Sequence, residues 1–218
     1  MMRQVKFGDY KCYDDWGLYL KAGWQLAPAS TKVVTIDVFG ADGVLDLTET
    51  VAGEPRYNNR AFSCTLILPP YVRERDEYER KRQQIADYCQ GRRMRIHLPD
   101  SAEYYLLGRC EVSALSYLGR YAEIGISASC EPWLLKNNVT SVKLAVDGSA
   151  NVVLRNARKT TIPEIISDGD VELTLNGIVR TVPAGSFKFA DFALQQGRHQ
   201  LWVRGSANVE IKYQEGRL

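Results

Sequence analysis

Histidine is the first residue to look for where a metal is bound or a proton moved, and the chain has two, His97 and His199. Each lies in a strand-like run, and no spacing places a second ligand beside either, so a structural or exposed role is expected. The five cysteines, Cys12, Cys64, Cys89, Cys110 and Cys130, are far apart, odd in number and form no CxxC pair. That pattern fits neither a zinc site nor a disulfide framework. Most sit in apolar runs and read as buried free thiols, which implies folding in a reducing compartment. Asp37, Asp42 and Asp46 suggest calcium, but the alternating acids, central glycine and terminal glutamate of a calcium loop do not fit here. These aspartates read as turn residues instead. Asp14-Asp15 is a carboxylate pair of the kind used in glycoside hydrolysis, yet adjacent acids are also common in turns. The chain has no GxSxG elbow, Walker loop or dinucleotide glycine fingerprint. No catalytic residue, cofactor or metal ligand is assigned, and a structural or binding protein is expected rather than an enzyme.

The elements around these residues are mostly strands. Ala61–Leu68 suits a pleated, half-buried surface and is stopped by Pro69-Pro70, which offer no N–H to a ladder. Asp76–Gln90 is the one long helical stretch, free of Gly and Pro, with Gly91 as its closing cap. Tyr78, Ile85 and Cys89 share a face and Arg82 interrupts it, which predicts a helix laid on a surface by a narrow seam. Arg93–Leu98 and Tyr104–Cys110 form a predicted hairpin, and the alternation from Cys110 to Ile126 turns at Gly119-Arg120.

Before this block, Val5–Lys21 reads as two strands about a turn at Asp14-Asp15, with Trp16, Tyr19 and Trp24 as core or subunit-contact aromatics. Val33–Val38 is a strand, Asp42-Gly43 a hairpin turn, and Thr48–Asn59 an exposed loop or hairpin tip. Lys136-Asn137-Asn138 marks the expected boundary between domains 1–136 and 137–218. Beyond it come about eight short strands, with turns expected at Asp147-Gly148, Asn176-Gly177 and Pro183-Ala184-Gly185. His199–Val203 and Val209–Tyr213 are the last two, and the set predicts a small β-sandwich.

At 218 residues the chain can bury roughly 70% of its unfolded surface and needs no staples. A formal charge of +2 argues against dedicated nucleic-acid binding, which draws on a basic stripe. The arginines and lysines near the helix, among them Arg73, Arg80 and Lys81, are interleaved with Glu74, Asp76, Glu77 and Glu79 and read as a solvated face. The N-terminus lacks the apolar core of a signal peptide, and no apolar run is long enough to span a bilayer, so cytoplasmic synthesis without membrane insertion is expected.

The order of parts resembles the distal tail protein family of long, non-contractile-tailed bacteriophages. The resemblance rests on YDDWGLYL (Tyr13–Leu20) with GADGVLDLTE (Gly40–Glu49), and on YNNRAFSCTLIL (Tyr57–Leu68) followed by CQGRRMRIHLPD (Cys89–Asp100) and SAEYYLLGRCEVSAL (Ser101–Leu115). It also rests on the closing run from Thr181 to Leu218, where Gly197 and Gly205 keep the family's glycines and Arg198-His199 stand where Asn is usual. The resemblance implies a mainly β fold: an N-terminal β-sandwich or barrel-like domain with one α-helix and an extended hairpin, then a small galectin-like β-sandwich. It implies a virion component at the tail tip, assembled in the host bacterial cytoplasm, in which six copies close into a ring. The implied partners are further copies of itself, the major tail tube protein, the tail-tip hub or tail-associated protein, the tape-measure end and receptor-binding proteins.

A ring of one chain needs an arm that reaches its neighbour. The long, polar, turn-rich stretch from Gly40 to Arg60, flanked by strands, is the expected arm, with Asp42, Leu45, Asp46, Glu49, Arg56, Tyr57 and Arg60 as candidate subunit-interface residues. The competing expectation is a carbohydrate-binding module built on the C-terminal sandwich and Trp202.

Overall fold

The computed structural model describes residues 3–50, 52–70 and 75–218. Met1, Met2, Val51 and the stretch 71–74 lie outside it, including Arg73 and Glu74 of the charged region. The fold is mainly β with one α-helix, and it divides into two compact units, Met1–Leu134 with Leu218, and Leu135–Arg217.

The first unit contains β1 (Lys6–Phe7), β2 (Tyr10–Lys11), β3 (Tyr19–Leu20), β4 (Gln25–Leu26), β5 (Thr35–Asp37), β6 (Val44–Asp46), β7 (Arg60–Leu68), α1 (Arg75–Cys89), β8 (Arg93–His97), β9 (Tyr104–Leu118) and β10 (Tyr121–Cys130). Its main sheet runs β2-β1-β8-β9-β10-β7-β3, and β4 also pairs with β7. The expected first strand is split, because Gly8 takes φ +58 and turns the chain between β1 and β2. That turn lies against α1: a Cβ at Gly8 would collide with the Tyr88 hydroxyl, which accepts the Asp9 N–H at 3.0 Å. Strand β7 alternates strictly, with Phe62, Cys64, Leu66 and Leu68 inward. Side chains of this kind each stabilise by about 1.5–3 kcal/mol on full burial. Helix α1 buries Tyr78, Ile85 and Cys89 and packs on β9. Arg82, which breaks the apolar stripe, lies flat and donates Nε–H to the Ser113 carbonyl at 3.2 Å. Gly91 ends the helix at φ +69, its N–H reaching the Cys110 carbonyl at 2.8 Å.

The second unit begins within β11 (Leu134–Lys136) and contains β12 (Thr140–Asn156), β13 (Glu164–Ser167), β14 (Val171–Leu175), β15 (Ile178–Val182), β16 (Gly185–Lys188), a 3-10 turn (Ala190–Phe192), β17 (Gly197–Tyr213) and β18 (Gly216–Arg217). The sheet order is β15-β14-β17-β13-β16, with β12 also paired to β17. Two expectations fail here for one reason. Asp147-Gly148 is not a turn, and His199–Val203 and Val209–Tyr213 are one strand. β12 and β17 pair residue by residue over their full length, and Gly148 faces Gly205 across the ribbon. Both glycines have positive φ, +85 and +145. The ribbon therefore bends there without ending. β14 pairs with β17 from Leu201 to Gly205, and β13 pairs with it from Val209 to Lys212. Leu201 and Val203 before the bend and Val209 and Ile211 after it join one core with Phe192 and Leu173.

The ends of this unit are tied by Glu215. Its carboxylate accepts from Lys136 Nζ at 2.8 Å and from the Thr140 hydroxyl. Burial pushes the Glu215 carboxyl up, but those two partners outweigh it and hold it below its ordinary value of 4.5. A depressed folded value gives stability that is present above the unfolded value and lost as pH falls through the folded one. Glu215→Gln is thus expected to flatten the fall in urea midpoint below about pH 4.5 relative to the wild type. Equal acid slopes in the two proteins would show that the clasp contributes nothing.

Candidate functional site

The groups that could do chemistry do not converge. His97 ends β8 and packs on Tyr105 with ring centres 5.8 Å apart, its pKa lowered by burial and by the nearby Lys6 and Arg95. His199 lies in the second unit, with Nε2 2.9 Å from the Gln195 carbonyl and Nδ1 3.3 Å from the Asn176 side chain. Among the described residues no group of three His, Cys, Asp or Glu side chains could hold a metal ion.

All five cysteines are buried and free. Burial pushes the Cys89 and Cys110 thiols up to about 12 and Cys130 to about 11, and Cys64 higher still. Because the thiolate is the nucleophile, the native protein is expected to leave Ellman's reagent unreacted at pH 8 and to release five equivalents once unfolded in guanidinium. Fast native reaction of even one equivalent would place a thiol at the surface.

The unusual surface is an arm. Between β4 and β7 the chain leaves the sheet as two antiparallel rails. The Ala27 N–H donates to the Ala61 carbonyl at 2.8 Å, Asn58 N–H to Ser30 at 2.8 Å, and Lys32 N–H to Arg56 at 2.7 Å. Thr31 bridges Tyr57. Further out, β5 and β6 form a hairpin that joins no other strand among the described residues, with Thr35 opposite Asp46, Ile36 opposite Leu45 and Asp37 opposite Val44. Such a hairpin would normally bury one face. Here Val33, Val34, Ile36, Val38, Val44 and Leu45 are each about half exposed or more, and Phe39 at the tip reaches 106% of its reference area. Exposed apolar surface of this extent is unusual on a chain that stands alone, and an isolated two-stranded hairpin is only marginally stable in water.

The sequence-derived interface residues fall on different parts of this structure. Asp42, Leu45 and Asp46 lie on the exposed hairpin. Asp46 accepts the Thr48 N–H at 2.8 Å, and its hydrogen bonds to Thr48 lower its pKa. Glu49 is exposed beside the root, and its carbonyl accepts the Gly53 N–H at 2.7 Å. Arg56 pairs with Glu54 at 3.1 Å, and Tyr57 meets Trp133 edge-on at 5.4 Å. Arg60 is different. It stands on the inward face of β7 and is only 6% exposed, so it presents nothing to a neighbour. Its Nε and Nη2 find no partner among the described residues, and burial lowers its pKa. The sequence reading also began the arm too late. The projecting part starts at Val33, and its surface is apolar rather than polar. Val33, Val34, Ile36, Val38 and Phe39, outside the expected stretch, carry the pattern of an ordinary buried strand, so only the three-dimensional arrangement marks them as exposed.

No family model matches the chain, and no curated protein matches it in sequence. Its structure is similar to that of the Dit protein of phage SPP1, described as a paradigm of the hub adsorption apparatus in phages that infect Gram-positive bacteria, with a TM-score of 0.70 over 99% of each chain at 12% identity. The chain has the Dit fold. A designed double-stranded β-helix overlaps only 35% of the chain, with a TM-score of 0.27. The Dit likeness spans both units, so the arm and the bent ribbon lie within the region over which the two proteins were matched.

Proposed function

We propose that the chain is the distal tail protein of a long-tailed phage, a non-catalytic virion component made in the host cytoplasm. Six copies close into a ring at the end of the tail tube. One face of the ring meets the major tail tube protein. The other meets the tail-tip hub protein, the tape-measure end or receptor-binding proteins. Domains 1–136 and 137–218 act as the ring-forming domain and an outward, galectin-like sandwich. The observation that carries this reading is the coincidence of a full-length Dit fold with an apolar arm that its own chain leaves uncovered. Head-to-tail contacts made by such an arm close by rotation into a ring. Asp42, Leu45, Asp46, Glu49, Arg56 and Tyr57 lie in or beside that contact.

Light scattering on the purified protein, followed by negative-stain imaging, tests the reading. The expected species has six times the chain mass of 24.6 kDa and a central opening. A single chain mass at every concentration, alone and with the partner tail proteins, would overturn it. A second reading is favoured by Trp202, which is 49% exposed and in register with Asn151 on one side and Thr174 on the other. An aromatic face among polar side chains is a platform for a sugar ring, and a glycan array probed with wild type and Trp202→Ala distinguishes binding from silence.

A further inference from the structure

The arm tip and a groove beside α1 are complementary. Phe39 is the most exposed large apolar side chain among the described residues. It is flanked by Asp37 and Asp42, and the hairpin segment from Val33 to Leu47 holds three aspartates and no lysine or arginine. Neither Asp37 nor Asp42 has a cationic partner among the described residues. The groove, about 540 Å3, lies between the β3 approach and the first half of α1. Trp16, Leu18, Leu68 and Pro69 form its floor, and Glu77, Arg80 and Lys81 stand on its helical wall, two cations to one carboxylate. Lys81 is half-buried, and no carboxylate among the described residues pairs with it. Burial lowers its pKa.

We propose that Phe39 of one copy seats in this groove on the next copy, with Asp37 and Asp42 meeting Arg80 and Lys81. This rests on the ring reading and names the receptor for the arm. An aromatic side chain gains most when it fills an apolar-floored site, and paired charges at its rim fix register and exclude wrong partners. The reach is sufficient. Phe39 lies twelve residues beyond Ala27, the last residue held to β7, and an extended run of that length spans up to about 40 Å. Copies pointing the same way then repeat the same contact around the ring.

Charge reversal tests the seat. Asp37→Lys/Asp42→Lys and Arg80→Glu/Lys81→Glu are each expected to drop the assembly from six chain masses to one, as is Phe39→Ser. The chain carrying both reversals is expected to regain six masses. If every variant keeps the wild-type mass, the ring stands and the seat is wrong. A second measurement separates the remaining cases. Phe39→Cys/Gln84→Cys is oxidised, the native thiols being buried. If the wild type stays monomeric alone and with the partner tail proteins, and no crosslink between chains forms, both readings fail. A crosslink in an otherwise monomeric protein keeps the seat and removes the ring.

Discussion

Replacing Thr35–Asp46 with Gly-Gly is expected to give a protein that folds with an unchanged urea midpoint and stays at one chain mass. Folding should survive because, among the described residues, the removed strands pair only with each other and bury nothing in the core. Surface substitutions usually alter stability by less than about 0.5 kcal/mol, and shortening a surface loop changes closure entropy only slowly. Assembly should not survive, because a cyclic ring uses the same joint at every interface and each copy would lose its donor. Light scattering and a denaturation curve on the same sample check both halves. A large fall in midpoint would mean that the hairpin belongs to the fold rather than to a partner. A ring of normal mass would locate the joint elsewhere. The deletion should also improve solubility, since an exposed apolar hairpin edge invites pairing with other chains.

Gly205→Val is expected to unfold the second unit, with a cost of roughly 3 kcal/mol or more. A Cβ there would stand 2.8 Å from the Asp170 carbonyl oxygen and 3.0 Å from a Val171 methyl, at a φ of +145 that side-chain-bearing residues avoid. The carbonyl is backbone and cannot turn aside, because β14 is held to β17 at Val171. Its partner glycine supplies the control. Gly148 has φ +85, but a Cβ placed on it would meet nothing within 4 Å, so Gly148→Ala should cost only the strain of about 1–2 kcal/mol. Hydrogen exchange of the β12 and β17 amides reads both variants. Equal losses of protection would show that strain alone, not the collision with Asp170, governs the bend.

What the sequence disclosed depended on whether a signal had one physical meaning. Asn176-Gly177 has one when alternating strands flank it. Both residues take positive φ, and Leu175 pairs with Ile178 across a two-residue turn. Gly119-Arg120 and the capped helix were legible for similar local reasons. Asp147-Gly148 carries the same chemistry but a different outcome. A positive φ shows where backbone departs from a strand, not whether the chain reverses, and the partner at Gly205 lies 57 residues away. The arm was visible as an excursion, through its turns, but not as an exposed surface. Val33–Val38 has the composition of a core strand, and only its exposure in the folded chain sets it apart. Arg60 misled in the opposite direction, because a charged residue at the start of an apolar run reads as a surface residue. Its position in the inward register of β7 follows from Phe62 and Cys64, which set that register.

The long ribbon has a consequence for exchange between molecules. Thr140 opens β12 directly opposite Tyr213, which closes β17. The Lys136 N–H donates to the Glu215 carbonyl at 3.0 Å, so the strands just outside the ribbon are also side by side. The two ends of the second unit thus lie side by side. A segment with adjacent ends can be lifted out, replaced by a short link or traded for another domain without changing the path of the flanking chain. The second unit is built as a cassette, and recombination could refit it while the rest of the protein keeps its design.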